Sequence, residues 1–216
     1  MKPVFGDEIE DMKPIFDKYR DQYQKDLEYE KKMKAFSDSE IVKDIEYVKK
    51  LQEWINDNDF FSKMKKGFSA KRDGFNSQNW HKAVDGKGKT LVIIKTKQNF
   101  IFGGFTQVGF KHSSGENIND SSAFIFSLRN DKGDRIPAKF THNGNGRAIC
   151  SGLSYGPVFG DGDDFSLSSN LQPGYSSFGR SYNLPNGINW NTNEANSYLA
   201  GSYNSWVVDE LETYFI

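Results

Sequence analysis

Three groups of residues in the chain have the types and spacing to do chemistry. Gly152-Leu153-Ser154-Tyr155-Gly156 spells the G-x-S-x-G pattern of a nucleophilic serine on a sharp strand-to-helix turn. That serine needs a helix after it and a base beside it. Pro157 follows, and His81, His112 and His142 all precede Ser154, so the expected reading is a loop, with a hydrolase or peroxide-handling activity as the alternative. Glu210 and Glu212 stand two apart on a strand and so share one face. Paired carboxylates do acid–base work only in a pocket that raises a pKa, and a solvated strand face is the expectation here. Asp161, Asp163 and Asp164 offer a hard cation such as Ca²⁺ its oxygens, but not at EF-hand spacing, and Asp-Gly pairs are ordinary turn formers. The histidines and Cys150 are scattered, with no zinc-site spacing, and no cofactor is expected. Cys150 ends an apolar run, which points to a buried, inert thiol.

The elements that must position these groups change character along the chain. In residues 1–35, Ile9, Met12, Phe16, Tyr19, Tyr23 and Leu27 recur in steps of three and four, one narrow apolar stripe on a helix. Pro14 suits a first helical turn, so the regular helix is expected from near Lys13. The stripe ends at Glu30, and docking on the chain's own domain is expected, with homodimerisation as the alternative. Ser37-Asp38-Ser39 offers caps for a second helix with Ile41, Ile45, Val48, Leu51 and Ile55 on its apolar face. Phe60 to Lys66 reads as a short third helix closed by Gly67.

After Gly67 the pattern is that of strands. Thr90 to Lys97 and Phe100 to Phe105 form a hairpin across Gln98-Asn99, and Gly103-Gly104 marks a bulge or a close backbone approach. Further strands are expected at Ala123–Arg129, Ile136–Phe140, Arg147–Cys150, Asp164–Ser168 and Trp206–Phe215. A turn is expected at residues 130–134, a glycine-rich loop at 156–162, and a long ordered loop over 170–197. With 18 Phe, 10 Tyr and 4 Trp to fill a core, the pattern implies a β-sandwich.

Net charge is −1, yet it is unevenly placed. Residues 1–60 carry 11 basic and 16 acidic side chains, residues 61–97 carry 10 and 2, and residues 148–216 carry 1 and 7. These segments are expected to neutralise one another across the fold; a basic face for nucleic acid, over residues 63–97, is the minority reading. The single cysteine, the lack of an apolar leader in MKPVFGDEIEDM and the lack of a long apolar run lead to the expectation of a cytoplasmic protein with no membrane insertion.

From Phe36 onward the chain resembles the TLDc domain. The motifs run in order: Gln52-Glu53-Trp54-Ile55, Arg72-Asp73-Gly74-Phe75, Asp85 through Leu91, Phe102-Gly103-Gly104-Phe105-Thr106, and Ala123 through Leu128. Ser154-Tyr155-Gly156-Pro157-Val158-Phe159-Gly160, Leu199 through Tyr203 and Glu210-Leu211-Glu212 complete the set. Val84 stands where the family often has cysteine, Lys89 where it has proline, and Phe110 near the place of a tryptophan. The missing cysteine argues against thiol chemistry.

The resemblance implies an α+β, mainly β fold: a two-sheet antiparallel β-sandwich flanked by helices over 36–216, with a charged N-terminal helical extension over 1–35. It implies a non-enzymatic interaction module that supports oxidative-stress resistance and binds cytosolic subunits of the vacuolar proton pump (V-ATPase). Candidate binding residues are Arg72, Asp73, Gly74, Gly103, Gly104, Gly156, Gly160, Glu210 and Glu212. No catalytic residue is carried over.

Overall fold

The computed structural model describes residues 5–130, 137–161 and 163–216. The expected turn at 130–134 falls largely outside them. Six helices precede or punctuate eleven strands among the described residues: α1 (Phe5–Met33), α2 (Ile45–Ile55), α3 (Asn58–Lys63), α4 (Ala70–Asp73), α5 (Ser77–Val84) and α6 (Asn193–Ser197). The strands are β1 (Lys65–Ser69), β2 (Thr90–Thr96), β3 (Ile101–Thr106), β4 (Ser114–Ile118), β5 (Phe124–Arg129) and β6 (Ala138–Thr141). They continue as β7 (Ile149–Gly152), β8 (Val158–Phe159), β9 (Phe165–Leu167), β10 (Pro173–Tyr175) and β11 (Asn204–Phe215).

All strand pairs are antiparallel, in the order β4-β7-β8-β9-β10-β11-β2-β3-β5-β6, with β1 also on β11. The long strand β11 joins the two sheets. Its N-terminal half pairs with β10 and its C-terminal half lies between β1 and β2. Period-two alternation on β2 then makes two cores. Val92 and Ile94 face Ile149, Phe159, Phe165 and Leu167 of the second sheet. Leu91 and Ile93 face Val48, Leu51, Ile55 and Phe60 of α2 and α3. The result is a three-layer stack of helices, sheet and sheet, in agreement with the mainly β sandwich expected.

Gly103 and Gly104 are a close approach rather than a bulge, since β3 keeps regular register against β2 there. A Cβ on Gly103 would lie 1.9 Å from the Val92 carbonyl oxygen, and one on Gly104 would lie 2.4 Å from the Phe159 ring. Gly104 lets the second sheet sit on the first, and Gly103 lets the backbone of β2 run close beside β3.

Several local expectations are corrected. Pro14 lies inside α1, which is continuous from Phe5. The apolar stripe of α1 is not docked: Met12, Phe16, Tyr19, Tyr23 and Leu27 are exposed. Asp44, not the Ser37–Ser39 run, caps α2 by accepting from the Glu46 N–H, because Ser39 is turned inward. The third helix stops at Lys63, and Lys65–Ser69 is drawn into β1 by the free edge of β11. Helices α4, α5 and α6 and strands β4, β8 and β10 are short or glycine-flanked, and periodicity passes over them.

Charge is neutralised across the fold as expected. Lys66 pairs with Asp38 and Glu212, Lys89 with Asp57, and Lys71 and Lys95 both with Asp209. Four basic residues of the central segment are thus matched to acids from the two flanking segments. That removes much of the continuous basic face that nucleic acid needs.

Candidate interaction surface over the His81 anchor

Helix α5 starts where Asn76 accepts hydrogen bonds from the backbone N–H groups of Gln78 and Asn79. Its first turn ties together loops that are far apart in sequence. The Ser77 N–H donates to the Ser169 carbonyl at 2.7 Å, and the Ser77 hydroxyl donates to the Leu153 carbonyl at 3.0 Å. Asn79 Nδ2 donates to the Asp73 carbonyl at 2.9 Å. A cleft results, lined by Asn76, Ser77, Gln78, Leu153, Ser154, Ser169 and Asn170. The turn Arg72-Asp73-Gly74, with Arg72 and Gly74 exposed and Asp73 half-buried, stands beside it. There Arg72 makes a two-pronged contact with Asp73, with Nε at 2.8 Å and a terminal nitrogen at 2.7 Å. That contact holds the Asp73 carboxyl below the ordinary range and the Arg72 guanidinium above its own.

The far side of the cleft is anchored from beneath by His81. Its ring is buried, with Nδ1 2.9 Å and 3.1 Å from the two Asp85 oxygens and Nε2 3.1 Å and 3.0 Å from the Gly152 and Tyr155 carbonyls. A carbonyl only accepts, so Nε2 must carry a proton; a carboxylate at Nδ1 calls for the second. Burial opposes the charged ring, but the Asp85 carboxylate and the two carbonyls outweigh it and raise the His81 pKa above its ordinary value. His81 is therefore a buried ring with partners on both nitrogens that clamps residues 152–155 onto α5. Sequence reasoning passed over it because α5 was not recognised. The available signal is the His81–Asp85 spacing of four, one face of one helical turn.

Ser154 is exposed and, among the described residues, its hydroxyl has no hydrogen-bond partner. A histidine–aspartate pair does lie under its loop, but His81 Nε2 is engaged by the carbonyls on either side. The nucleophile–base contact of a serine hydrolase is not formed at Ser154.

The remaining candidates are placed apart from this surface or beneath it. Gly156 is buried, and a Cβ there would lie 2.3 Å from a Leu171 methyl. Gly160 has φ +90° and its Cβ would lie 2.0 Å from Asp164 Oδ2. Asp161 and Asp163 face Arg147, and Asp161 also faces Arg180. Asp164 turns inward instead, where it accepts from the backbone N–H groups of Gly179, Arg180, Ser181 and Tyr182. Burial pushes its carboxyl up to about 6, against four donors that favour the anion. The three carboxylates diverge toward separate partners, and no cluster suited to a metal occurs among the described residues. Cys150 is half-buried rather than buried as expected, and desolvation raises its thiol.

The Glu210/Glu212 pair overturns the solvated-face expectation: both side chains are buried. Glu210 accepts from the Ser69 hydroxyl and from the Lys71 and Leu211 N–H groups, and burial raises its pKa. Glu212 accepts from the Ser39 hydroxyl, the Glu40 N–H, Lys66 and the Tyr214 hydroxyl. Each carboxylate is filled with donors from the chain itself, and each fixes an irregular segment onto β11. They share a face, as strand geometry requires, but that face is covered by residues 38–41 and α4.

No helix in the described residues is long and apolar enough to cross a membrane. No curated protein matches the chain. The TLDc domain family matches residues 36–214, from the inward-facing Phe36 to the penultimate residue of β11. That span takes in both sheets, the His81 anchor and both buried glutamates, and it shows that this chain belongs to the TLDc domain family.

Proposed function

We propose that this chain is a non-enzymatic interaction module that binds cytosolic subunits of the vacuolar proton pump and so supports resistance to oxidative stress in the cytoplasm. The observation that carries this reading is membership of the TLDc family over most of the chain. The engaged state of His81 and of both buried glutamates supports a binding rather than a catalytic role, since none of these groups has a free acceptor or donor facing solvent. The docking surface is the cleft between Asn76–Gln78 and Leu153–Ser154, together with the Arg72–Gly74 turn. Its exposed polar groups are held by buried ones, the arrangement of a rigid recognition surface.

Capture of purified soluble pump sectors on the immobilised chain, at low and high salt, tests the proposal. Enrichment that an Arg72→Glu change reduces is the expected result. No enrichment at any salt overturns it.

A further inference from the structure

We propose that Asn145, in the loop between β6 and β7, is a site of spontaneous deamidation, and that Asn143 in the same loop is protected from it. The run His142-Asn143-Gly144-Asn145-Gly146-Arg147 holds two Asn-Gly pairs in succession. Asparagine is thermolabile because the next backbone nitrogen can attack its side-chain amide, and a following glycine has no side chain to obstruct that approach. By sequence the two pairs are equivalent; the fold separates them. Asn143 is half-buried and tied at three points. Its N–H donates to the Ser181 carbonyl at 2.8 Å, its Nδ2 donates to the Arg180 carbonyl at 3.1 Å, and its Oδ1 accepts from the Asn145 N–H at 2.9 Å. The nitrogen that would attack it is also engaged, since the Gly144 N–H donates to His142 Nδ1 at 3.2 Å. Asn145 is exposed, and among the described residues neither its side-chain amide nor the Gly146 N–H has a hydrogen-bond partner.

The reaction needs only water and hydroxide. Hydroxide takes the Gly146 N–H proton, the nitrogen bonds to Asn145 Cγ, and the Cγ–Nδ2 bond breaks as Nδ2 takes a proton and leaves as ammonia. Water then adds to one of the two carbonyls of the five-membered imide and opens it. One opening gives aspartate; the other gives isoaspartate, with the main chain running through the former side chain. Either product places a carboxylate two residues before Arg147, whose guanidinium holds Asn117 Oδ1 at 2.7 Å and Asp163 at 3.3 Å. Gly146 itself packs on Asp161: a Cβ there would lie 2.5 Å from the Asp161 Cβ. The new charge therefore enters a loop seated on one of the two aspartates that share Arg147.

Incubation of the full chain at mildly alkaline pH, with peptide mapping by mass spectrometry at intervals, tests this. Trypsin releases both pairs on one peptide, Phe140–Arg147, whose fragment ions separate the two sites. The remaining pair, Asn186–Gly187, falls on a different tryptic peptide and does not enter the comparison. In the folded chain Asn145 should convert at least tenfold faster than Asn143. In the same chain unfolded in urea the two should convert at comparable rates, because the bonds that protect Asn143 are gone. Labelling by an isoaspartyl methyltransferase should mark the aged Phe140–Arg147 peptide, and Asn145→Gln should remove that mark. Conversion at Asn143 as fast as at Asn145 in the folded chain overturns the proposal. So does a folded chain in which Asn145 persists while the unfolded chain converts, or a tenfold preference for Asn145 that urea leaves unchanged.

Discussion

Ser39 and Glu212, 173 positions apart, are joined by a buried 2.5 Å hydrogen bond in which the serine hydroxyl donates to the carboxylate. The same hydroxyl accepts from the Ile41 and Val42 N–H groups, so one serine shapes the turn before α2 and fastens it to the closing strand. Ser39→Ala should therefore cost about 2 kcal/mol, in the range for losing a hydrogen bond to a charged group. Glu212→Gln should cost more, because Lys66 then loses its buried counter-charge. Chemical denaturation of the two single variants and the double variant measures the coupling, which should exceed 1 kcal/mol. Purely additive losses would show that the two ends are held independently.

The His81 anchor makes stability depend on pH in a defined direction. A histidine whose pKa is raised on folding contributes stability that is fully present below its unfolded value of about 6.5 and lost as pH rises through the folded value. Denaturation midpoints should accordingly fall as pH rises above that point, and His81→Ala should flatten the fall while costing about 3 kcal/mol at neutral pH. Exchange of the amides around Gly152–Gly156 should quicken in the variant. The exposed His112, 3.7 Å from Asp85 on its outer side, provides the control. If His112→Ala flattens the profile as much, the titration does not belong to the anchor.

The cores were legible in sequence because periodicity reports them directly: Leu91-Val92-Ile93-Ile94 alternates between two apolar surfaces, and both exist. Gly103 and Gly104 left two readings open, a bulge or a close approach, and the regular pairing with β2 selects the second. What sequence could not reveal was which side chains turn inward against their type. Glu210 and Glu212 look like solvent-facing residues until Ser69 and the Ala70–Lys71 backbone from one segment, and Ser39 and Lys66 from another, are seen to surround them. Those donors lie more than a hundred positions away, so no local pattern encodes the encounter. Helix α5 failed to register because eight residues are two turns, too few for a period to repeat. With it went His81, the centre of the candidate surface.

Asp164 should behave as a hub of the 160–182 region. It meets the Gly179, Arg180 and Ser181 N–H groups at 2.8, 3.1 and 2.9 Å, and Gly160 has no side chain because one would strike its carboxylate. Asp164→Ala would leave those donors buried and unpaired, at a cost of about 3 kcal/mol or more. Asp164→Asn preserves shape but points an amide group at donors, and should fall between wild type and Asp164→Ala. Thermal unfolding ranks the three. Equal stability of the Asn and Ala variants would mean that the shape of the side chain, rather than its acceptors, holds the segment.

The close contacts at Gly103 and Gly104 can be tested by asking whether a neighbour is able to yield. At Gly104 the obstruction is the Phe159 ring, a side chain; at Gly103 it is the Val92 carbonyl oxygen, part of the backbone of the adjacent strand. Overpacking of a well-filled core costs about 1–3 kcal/mol, and relief depends on what can move. Gly104→Ala should therefore be partly rescued by Phe159→Leu, which removes ring atoms from the point of contact, so that the double variant is more stable than the sum of the singles. Gly103→Ala should gain nothing from Phe159→Leu, because the backbone of β2 stays where its hydrogen bonds to β3 and β11 put it. Rescue of Gly104→Ala without rescue of Gly103→Ala would assign Gly104 to the contact between the sheets and Gly103 to the contact with the adjacent strand. Equal rescue of both would contradict that assignment.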